Sequence, residues 1–181
     1  MKDTDIVNFL KSNIIPLDDV IFGKRYRASA FLKDGSYLPC VVFQSKNRLI
    51  DLAMKRLEET KNDKRQYRMV VEAFISNGSF VSSYDITRVE ASMFALPTNL
   101  INKIIGETVM GWTEFIVEMH DGKKFPYGTS FSIDFFELPD DYEIKDIKEI
   151  HKKNLLTQQQ PENNAKYYRE KPFFTCLLDG L

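Results

Sequence analysis

The chain has 181 residues, of which 43% are hydrophobic and 13% aromatic, so it can build a sizeable core and is not globally disordered. The formal net charge of −1 excludes an overall field that would attract nucleic acid or an anionic membrane, and any such contact would need a local patch. Two cysteines exclude a disulfide framework, and the lack of a long apolar segment argues against a secretory signal or a membrane-spanning helix. We therefore expect a cytoplasmic protein that makes no membrane contact.

The first part of the chain predicts a helix, a β-hairpin and a second helix. The N-terminal helix ends before Pro16. From Arg25 onwards apolar and polar residues alternate, and the Asp34-Gly35 pair predicts a type I′ turn, which requires positive φ at both central residues. Pro39 in the return strand lacks an N–H group, so we expect it at a sheet edge or a bulge. An amphipathic helix follows over about residues 46–61.

Two further hairpins are predicted at Asn77-Gly78 and Asp121-Gly122, each followed by a helix. A short helix opens at Pro97 after the second hairpin, and a longer one opens at Pro139 after the third. The apolar stripe of this last helix consists of Ile144, Ile147, Ile150 or His151, and Leu155. Alternation places the apolar residues of the third hairpin on one face of each strand. They are Phe115, Val117 and Met119 on the first strand, and Phe125, Tyr127, Thr129, Phe131, Ile133 and Phe135 on the return strand.

Together these elements predict an α+β fold. We expect an antiparallel sheet of about six or seven strands built from three hairpins, with a helix after each hairpin and the helices mainly on one sheet face. The turn glycines are 43 and 44 residues apart, and the first and third hairpins share an Asp-Gly turn followed by a proline. This spacing has two interpretations, a repeated ββα unit or a chance similarity between hairpins.

The predicted domain organisation is a single α+β domain over residues 1–155, a polar linker over residues 156–171 and a strand-like tail over residues 172–181. The apolar tail must be buried, because an exposed strand of this kind promotes aggregation. It can pair with an edge of its own domain, or it can be exchanged with a second subunit in a homodimer. The short connections usual within a domain favour pairing with its own sheet.

No catalytic, cofactor-binding or metal-ligating residues are predicted, because no P-loop, GxGxxG, HExxH or EF-hand pattern occurs. His120 stands beside Asp121 at a turn, and adjacent strand residues point to opposite faces. Cys40 and Cys176 are expected to pack as small buried side chains. An enzyme with a pocket between sheet and helices remains an alternative, since residues from distant strands can form a site without a sequence motif.

The acidic segment over residues 134–149 suggests a surface for a basic protein partner. It holds seven acidic residues and two lysines, together with exposed aromatic candidates. We interpret the chain as a non-catalytic macromolecule-binding protein, an adaptor or an immunity-type inhibitor, in which rings supply buried area and carboxylates steer the partner. The alternative is an ordinary helix N-terminus beside a core strand. The residues assigned to this surface are Asp134, Phe136, Glu137, Asp140, Asp141, Tyr142 and Glu143.

The alternative partner is a nucleic acid, bound through the basic segment over residues 55–68. This segment holds six basic and three acidic residues, and neighbouring tyrosines could stack on bases. A net charge of +3 in an almost neutral protein predicts weak, salt-sensitive binding. The residues assigned to this interface are Arg25, Arg27, Lys61, Lys64, Arg65, Tyr67 and Arg68.

Overall fold

The computed structural model describes residues 1–20, 22–59, 79–104, 111–130, 132–152 and 168–181. Contacts divide the chain into two compact units, unit 1 with residues 1–92 and 173–181, and unit 2 with residues 93–172. Along the chain, unit 2 is therefore inserted between two segments of unit 1. The predicted boundaries are different, at residues 155 and 171. The predicted single domain stays a prediction, because two compact units can belong to one folding domain.

The described part of unit 1 contains two helices and a five-stranded sheet. Its elements are α1 (Asp3–Asn13), β1 (Leu17–Asp19), β2 (Gly23–Leu32), β3 (Tyr37–Ser45), α2 (Lys46–Glu59), a 3₁₀ turn (Ser83–Asp85), β4 (Ile86–Ala91) and β9 (Phe174–Leu178). The central strand β2 pairs antiparallel with β1, β3 and β4. The C-terminal strand β9 pairs with β3 in parallel, so the sheet is mixed.

The core of unit 1 lies between α1 and one face of this sheet. The helix buries Ile6, Val7 and Leu10, which lie at helical spacing. These side chains belong to one cluster with the fully buried Ala28 and Ala30 of β2. The small alanine side chains leave room for the helix to approach the sheet.

Unit 2 contains a four-stranded sheet. Its elements are α3 (Thr98–Ile101), β5 (Thr113–Met119), β6 (Lys124–Thr129), a 3₁₀ turn (Ile144–Asp146), β7 (Ile147–Lys152) and β8 (Tyr168–Arg169). The strand order is β7-β5-β6-β8, with β5 antiparallel to both neighbours and β8 parallel to β6. No helix among the described residues of either unit is long and apolar enough to cross a membrane.

Three aromatic rings form the centre of unit 2. Phe115 and Tyr127 stack with ring centroids 5.2 Å apart, and Phe136 meets them edge-on at 5.1 and 5.7 Å. The Tyr127 hydroxyl donates a hydrogen bond of 3.0 Å to the carbonyl of Glu137, so its polar group is satisfied inside the core. Burial raises the pKa of Tyr127 far above its usual range. The predicted inward face of β5 is confirmed, since Phe115, Val117 and Met119 are all buried.

The two Asp-Gly turns have the same backbone structure. The N–H of Leu32 donates to the carbonyl of Ser36 at 2.9 Å, and the N–H of Met119 donates to that of Lys123 at 2.9 Å, so each loop has three residues. Gly35 and Gly122 have φ of 88° and 87°. Among the described residues, Asp141 is the single non-glycine with positive φ, so the predicted type I′ geometry is wrong. Each loop is a type I turn that ends on a left-handed glycine.

The aspartate of each turn explains this geometry. The carboxylate of Asp34 accepts a hydrogen bond from the N–H of Ser36 at 2.9 Å, and that of Asp121 accepts one from the N–H of Lys123 at 3.0 Å. An aspartate that caps the N–H two residues later stabilises a loop in which only the glycine needs positive φ. In β3, the predicted bulge is confirmed: Pro39 lies where the register with β2 shifts.

Both sheets continue from these turns in the same way. The N–H of Lys33 donates to the carbonyl of Asp85 at 2.8 Å, and the N–H of His120 donates to that of Asp146 at 2.9 Å. Each aspartate ends a 3₁₀ turn that leads into an antiparallel strand, and each pairing has a register shift next to the hairpin. A parallel strand then joins the return strand, β9 in unit 1 and β8 in unit 2. The two sheets therefore share one arrangement of four strands, and their turn glycines, Gly35 and Gly122, lie 87 residues apart. The predicted ββα repeat is not confirmed.

The α+β fold class is confirmed, whereas the predicted layout of three hairpins, each followed by a helix and all in one antiparallel sheet, is not. The turn at Asn77-Gly78 lies outside the described residues. The predicted last helix is wrong: Ile147–Lys152 forms β7, which pairs with β5. A register shift at Lys148 leaves Ile147 and Ile150 three residues apart on the buried side, and this spacing imitates a helical stripe.

The C-terminal tail pairs with the sheet of its own chain. Val41 to Ser45 of β3 are in register with Phe174 to Leu178 of β9, and Cys176 and Leu178 are buried. Burial raises the pKa of the Cys176 thiol to about 12, so this thiol is not a nucleophile at neutral pH. The exchange of the tail in a homodimer stays a prediction.

Candidate functional site

A cleft of about 630 Å³ opens at the Asp-Gly turn of unit 2. Its lining combines the turn, the start of β6, the start of β8 and the loop before the second 3₁₀ turn. Among the described residues, four carboxylates line it, those of Asp121, Asp140, Asp141 and Asp146, together with Lys123 and His120. A volume in this range suits a small ligand or a few side chains of a partner.

Aromatic rings form one wall of the cleft. Phe125, at the start of β6, meets Tyr142 edge-on at 5.4 Å and Tyr168 at 5.8 Å. Tyr168 also stacks on the buried Tyr127 at 5.2 Å, which anchors this wall to the core of the unit. Because aromatic faces carry partial negative charge, such a wall attracts cations as well as apolar groups.

Asp121 links the turn to the facing loop. One carboxylate oxygen accepts the N–H of Lys123, and the other accepts a hydrogen bond of 2.6 Å from the Tyr142 hydroxyl. The ammonium of Lys123 lies 3.6 Å from this second oxygen. These contacts, above all the one with Tyr142, lower the pKa of Asp121 below its usual value. The carboxylate therefore stays charged throughout the physiological pH range.

Asp140 and Asp141 form the exposed lip of the cleft. They lie in a tight turn in which the N–H of Tyr142 donates to the carbonyl of Pro139 at 3.2 Å. Asp141 has φ of 69°, a left-handed conformation that is costly for residues with a side chain and least so for Asp and Asn. Within the described part of the chain, neither carboxylate makes a hydrogen bond or an ion pair.

The fourth carboxylate of the cleft, Asp146, has a structural role. Its side chain accepts the N–H of Glu143 at 2.8 Å and so caps the 3₁₀ turn, while its carbonyl holds the N–H of His120. The carboxylates of the cleft thus divide into two that accept hydrogen bonds, Asp121 and Asp146, and two at the exposed lip, Asp140 and Asp141.

The structure separates the residues assigned to the acidic surface. Asp140, Asp141 and Tyr142 line the cleft. Asp134 and Phe136 are fully buried, so their assignment to a surface is wrong. Phe136 packs in the aromatic core, and Asp134 accepts a hydrogen bond from the Ser132 hydroxyl.

The other two residues of that set lie outside the cleft lining. Glu137 is exposed and pairs with Lys171 at 3.1 Å, and Glu143 is exposed and pairs with Lys145 at 2.8 Å. Seven described residues of the cleft lining were not among those assigned to a site from the sequence, namely Asp121, Lys123, Phe125, His120, Pro139, Asp146 and Tyr168. The Asp-Gly turn and the alternation of β6 were signals for the first three, whereas nothing in the sequence marked Tyr168.

Of the seven residues assigned to a nucleic-acid interface, the structure describes Arg25 and Arg27, both in β2. The side chain of Arg25 is only 14% exposed and lies 3.6 Å from Asp19, and Arg27 is 4% exposed. A buried guanidinium cannot reach a phosphate, so the assignment of Arg27 is wrong and that of Arg25 has little support. The remaining five residues, Lys61, Lys64, Arg65, Tyr67 and Arg68, lie outside the described residues.

A separate ionic cluster joins three strands of unit 2. Glu118 of β5 is only 12% exposed and lies 2.6 Å from the Lys148 ammonium, 3.2 Å from His151 Nε2 and 3.4 Å from the Lys124 ammonium. These contacts, led by the hydrogen bond from Lys148, lower the pKa of Glu118 to about 2. His151 accordingly points outward from a strand and does not pack on an apolar helix face.

Within the described ranges, no three His, Cys, Asp or Glu side chains are placed to hold a metal ion, and this includes the carboxylates of the cleft. Comparison of the chain with protein-family models, with curated proteins and with solved structures found no match in any of the three. The physical properties of the cleft are therefore the basis for a functional proposal.

Proposed function

We propose that the protein works by binding another protein, and that the cleft of unit 2 receives basic side chains of this partner. The observation that carries the proposal is the exposed pair Asp140 and Asp141 at the lip of a cleft walled by aromatic rings. Two carboxylates without a partner in the described chain attract a cationic side chain of the partner. The aromatic rings then provide apolar surface that the partner can bury on binding.

The arrangement of charge and apolar surface supports a protein partner. Charged groups at the rim of an interface steer association and give specificity, whereas aromatic groups at its centre supply most of the affinity. The exposed carboxylates of Asp140 and Asp141 and the partly buried ring of Phe125 suit these two roles. An adaptor and an immunity-type inhibitor would both use such a surface, the second by covering a basic active site of its target.

The test is affinity purification from the native cell, with mass spectrometry of the captured proteins. It compares the wild type with an Asp140→Asn/Asp141→Asn double variant, in which asparagine keeps the tolerance for positive φ at residue 141. The matched control is Asp18→Asn/Asp51→Asn, which removes the same charge from exposed positions of unit 1.

We expect the wild type and the control to capture the same basic protein and the cleft variant to lose it. The captured partner is then purified, and its affinity for the wild type should fall as salt rises, because exposed charges are screened. Equal capture by all three proteins, or capture of nucleic acid alone, would contradict the proposal.

A further inference from the structure

The cleft already holds a cation that belongs to the chain itself. The Lys123 ammonium lies 3.6 Å from Asp121 Oδ2 and 5.4 Å from the centre of the Tyr142 ring. The first distance is too long for a good hydrogen bond, and the second is within the range of a cation–π contact. The Lys123 side chain is 67% exposed, so this contact is held weakly and the side chain can swing into solvent.

From this geometry we propose that Lys123 occupies the cation position of the cleft in the free protein, and that an arginine side chain of the partner displaces it. The inference rests on the proposed function of the cleft. Lys123 then determines specificity, because the cleft binds a guanidinium of the partner in preference to an ammonium.

The preference for arginine follows from competition with a tethered lysine. A partner lysine offers Asp121 and Tyr142 the same ammonium that Lys123 already supplies at high effective concentration. A guanidinium is planar, less strongly hydrated and able to stack on the Tyr142 ring while it donates to a carboxylate. Arginine can therefore displace Lys123, whereas a partner lysine gains little by the exchange.

The experiment measures the affinities of an arginine octapeptide and a lysine octapeptide for four proteins by fluorescence anisotropy. The proteins are the wild type, Lys123→Gln, Lys145→Gln and the Asp140→Asn/Asp141→Asn variant. Lys145→Gln is the matched control, because it removes the same charge from unit 2 at a side chain that pairs with Glu143 and does not line the cleft.

We expect the wild type to bind the arginine peptide more tightly than the lysine peptide. Lys123→Gln should bind the lysine peptide about two- to fivefold more tightly than Lys145→Gln does, because an exposed ion pair contributes a free energy in this range. The ratio of its affinities for the arginine and lysine peptides should therefore be smaller than that of the wild type. Equal affinities of Lys123→Gln and Lys145→Gln, with an unchanged preference, would overturn the inference.

The experiment can reject the role of Lys123 without rejecting the cleft as the binding site. If the lip variant loses binding while Lys123→Gln behaves like its control, the cleft remains the binding site and only the role of Lys123 is rejected. If the lip variant binds both peptides as the wild type does, the proposed cleft is rejected and the inference with it. Absence of measurable binding to all four proteins also rejects both.

Displacement of Lys123 can also be observed directly by NMR. The methylene protons next to its ammonium should have shifts that differ from those of a solvated lysine in the free protein, because the ammonium lies 5.4 Å from the centre of the Tyr142 ring. Saturation with the arginine peptide should return them to the values of a solvated lysine. Unchanged shifts at saturation would show that Lys123 stays in place and would contradict the inference.

Discussion

The Tyr142 hydroxyl donates a hydrogen bond of 2.6 Å to the carboxylate of Asp121, and this bond joins the Asp-Gly turn of unit 2 to the loop that carries the lip carboxylates. It is also the main cause of the lowered pKa of Asp121, because the phenol stabilises the charged carboxylate. The bond therefore connects the geometry of the cleft with its electrostatics.

Tyr142→Phe should raise the pKa of Asp121 towards its ordinary value, since the phenol no longer stabilises the carboxylate. A folded-state pKa that is lowered contributes stability above the unfolded pKa, and this contribution is lost as the pH falls through the folded value. The variant should consequently lose part of the stability that the Asp121 carboxylate contributes near neutral pH, and it should approach the wild type in acid, where Asp121 is protonated in both proteins. NMR titration of the Asp121 side-chain carboxyl carbon checks the shift, and an unchanged pKa would contradict the role of this bond.

Asp141→Gly should separate folding from binding. Glycine adopts φ of 69° without steric cost, so the change should leave stability unaltered or raise it by up to about 1 kcal/mol. The same change removes a lip carboxylate and should weaken binding of a basic peptide. Urea unfolding and peptide titration measure the two effects, with Asp141→Asn as the control that removes charge alone. A variant that is clearly less stable and binds unchanged would contradict both expectations.

Gly128→Ala should destabilise unit 2, because a Cβ at this position would overlap the Trp112 ring at Cζ2. Overpacking of this kind costs about 1–3 kcal/mol. The cost should shrink when Trp112→Ala is also present, since the ring that causes the clash is then absent. Urea unfolding followed by circular dichroism completes the double-mutant cycle, and equal costs in both backgrounds would show that the ring is not the obstacle.

Glu118→Gln should change how stability depends on acid. The pKa of Glu118 falls from its ordinary 4.5 to about 2 on folding, so the unfolded chain takes up this proton first as the pH falls. The contribution of Glu118 is full above about pH 4.5 and is lost as the pH falls towards 2. Wild type and variant should thus differ most near neutral pH and converge in acid. Urea midpoints between pH 6 and pH 2 test this, with Glu58→Gln as the control that makes the same substitution at an exposed position. A difference between wild type and Glu118→Gln that is the same at every pH would contradict the prediction.

Local patterns predicted the parts of the fold that local chemistry decides. Alternation identified the buried face of β5, and the Asp-Gly pairs marked both hairpins. The turn type was missed because the aspartate side chain satisfies the N–H of Ser36 or Lys123, and no periodicity reports that bond. In β7 the register shift at Lys148 places two buried isoleucines three residues apart, a spacing that is typical of a helix.

The cleft was predicted only in part, because its residues come from separate parts of the chain. Asp140, Asp141 and Tyr142 were identified from charge and aromatic content along one segment. Tyr168 enters through the parallel pairing of β8 with β6, a long-range contact that leaves no local pattern. Phe136 was assigned to the surface because we expected the return strand to continue as far as Phe136. In the structure β6 ends at Thr129, and the ring of Phe136 is buried in the core.

The most direct test of the central claim is an NMR titration of the labelled protein with the arginine octapeptide. We expect amide shifts to change in a saturable way around the cleft, at residues 120–125, at residues 140–142 and at Tyr168. The Asp140→Asn/Asp141→Asn variant should show much smaller changes at the same peptide concentration. Shift changes confined to unit 1, or equal changes in the wild type and the variant, would contradict the claim that this cleft receives basic groups.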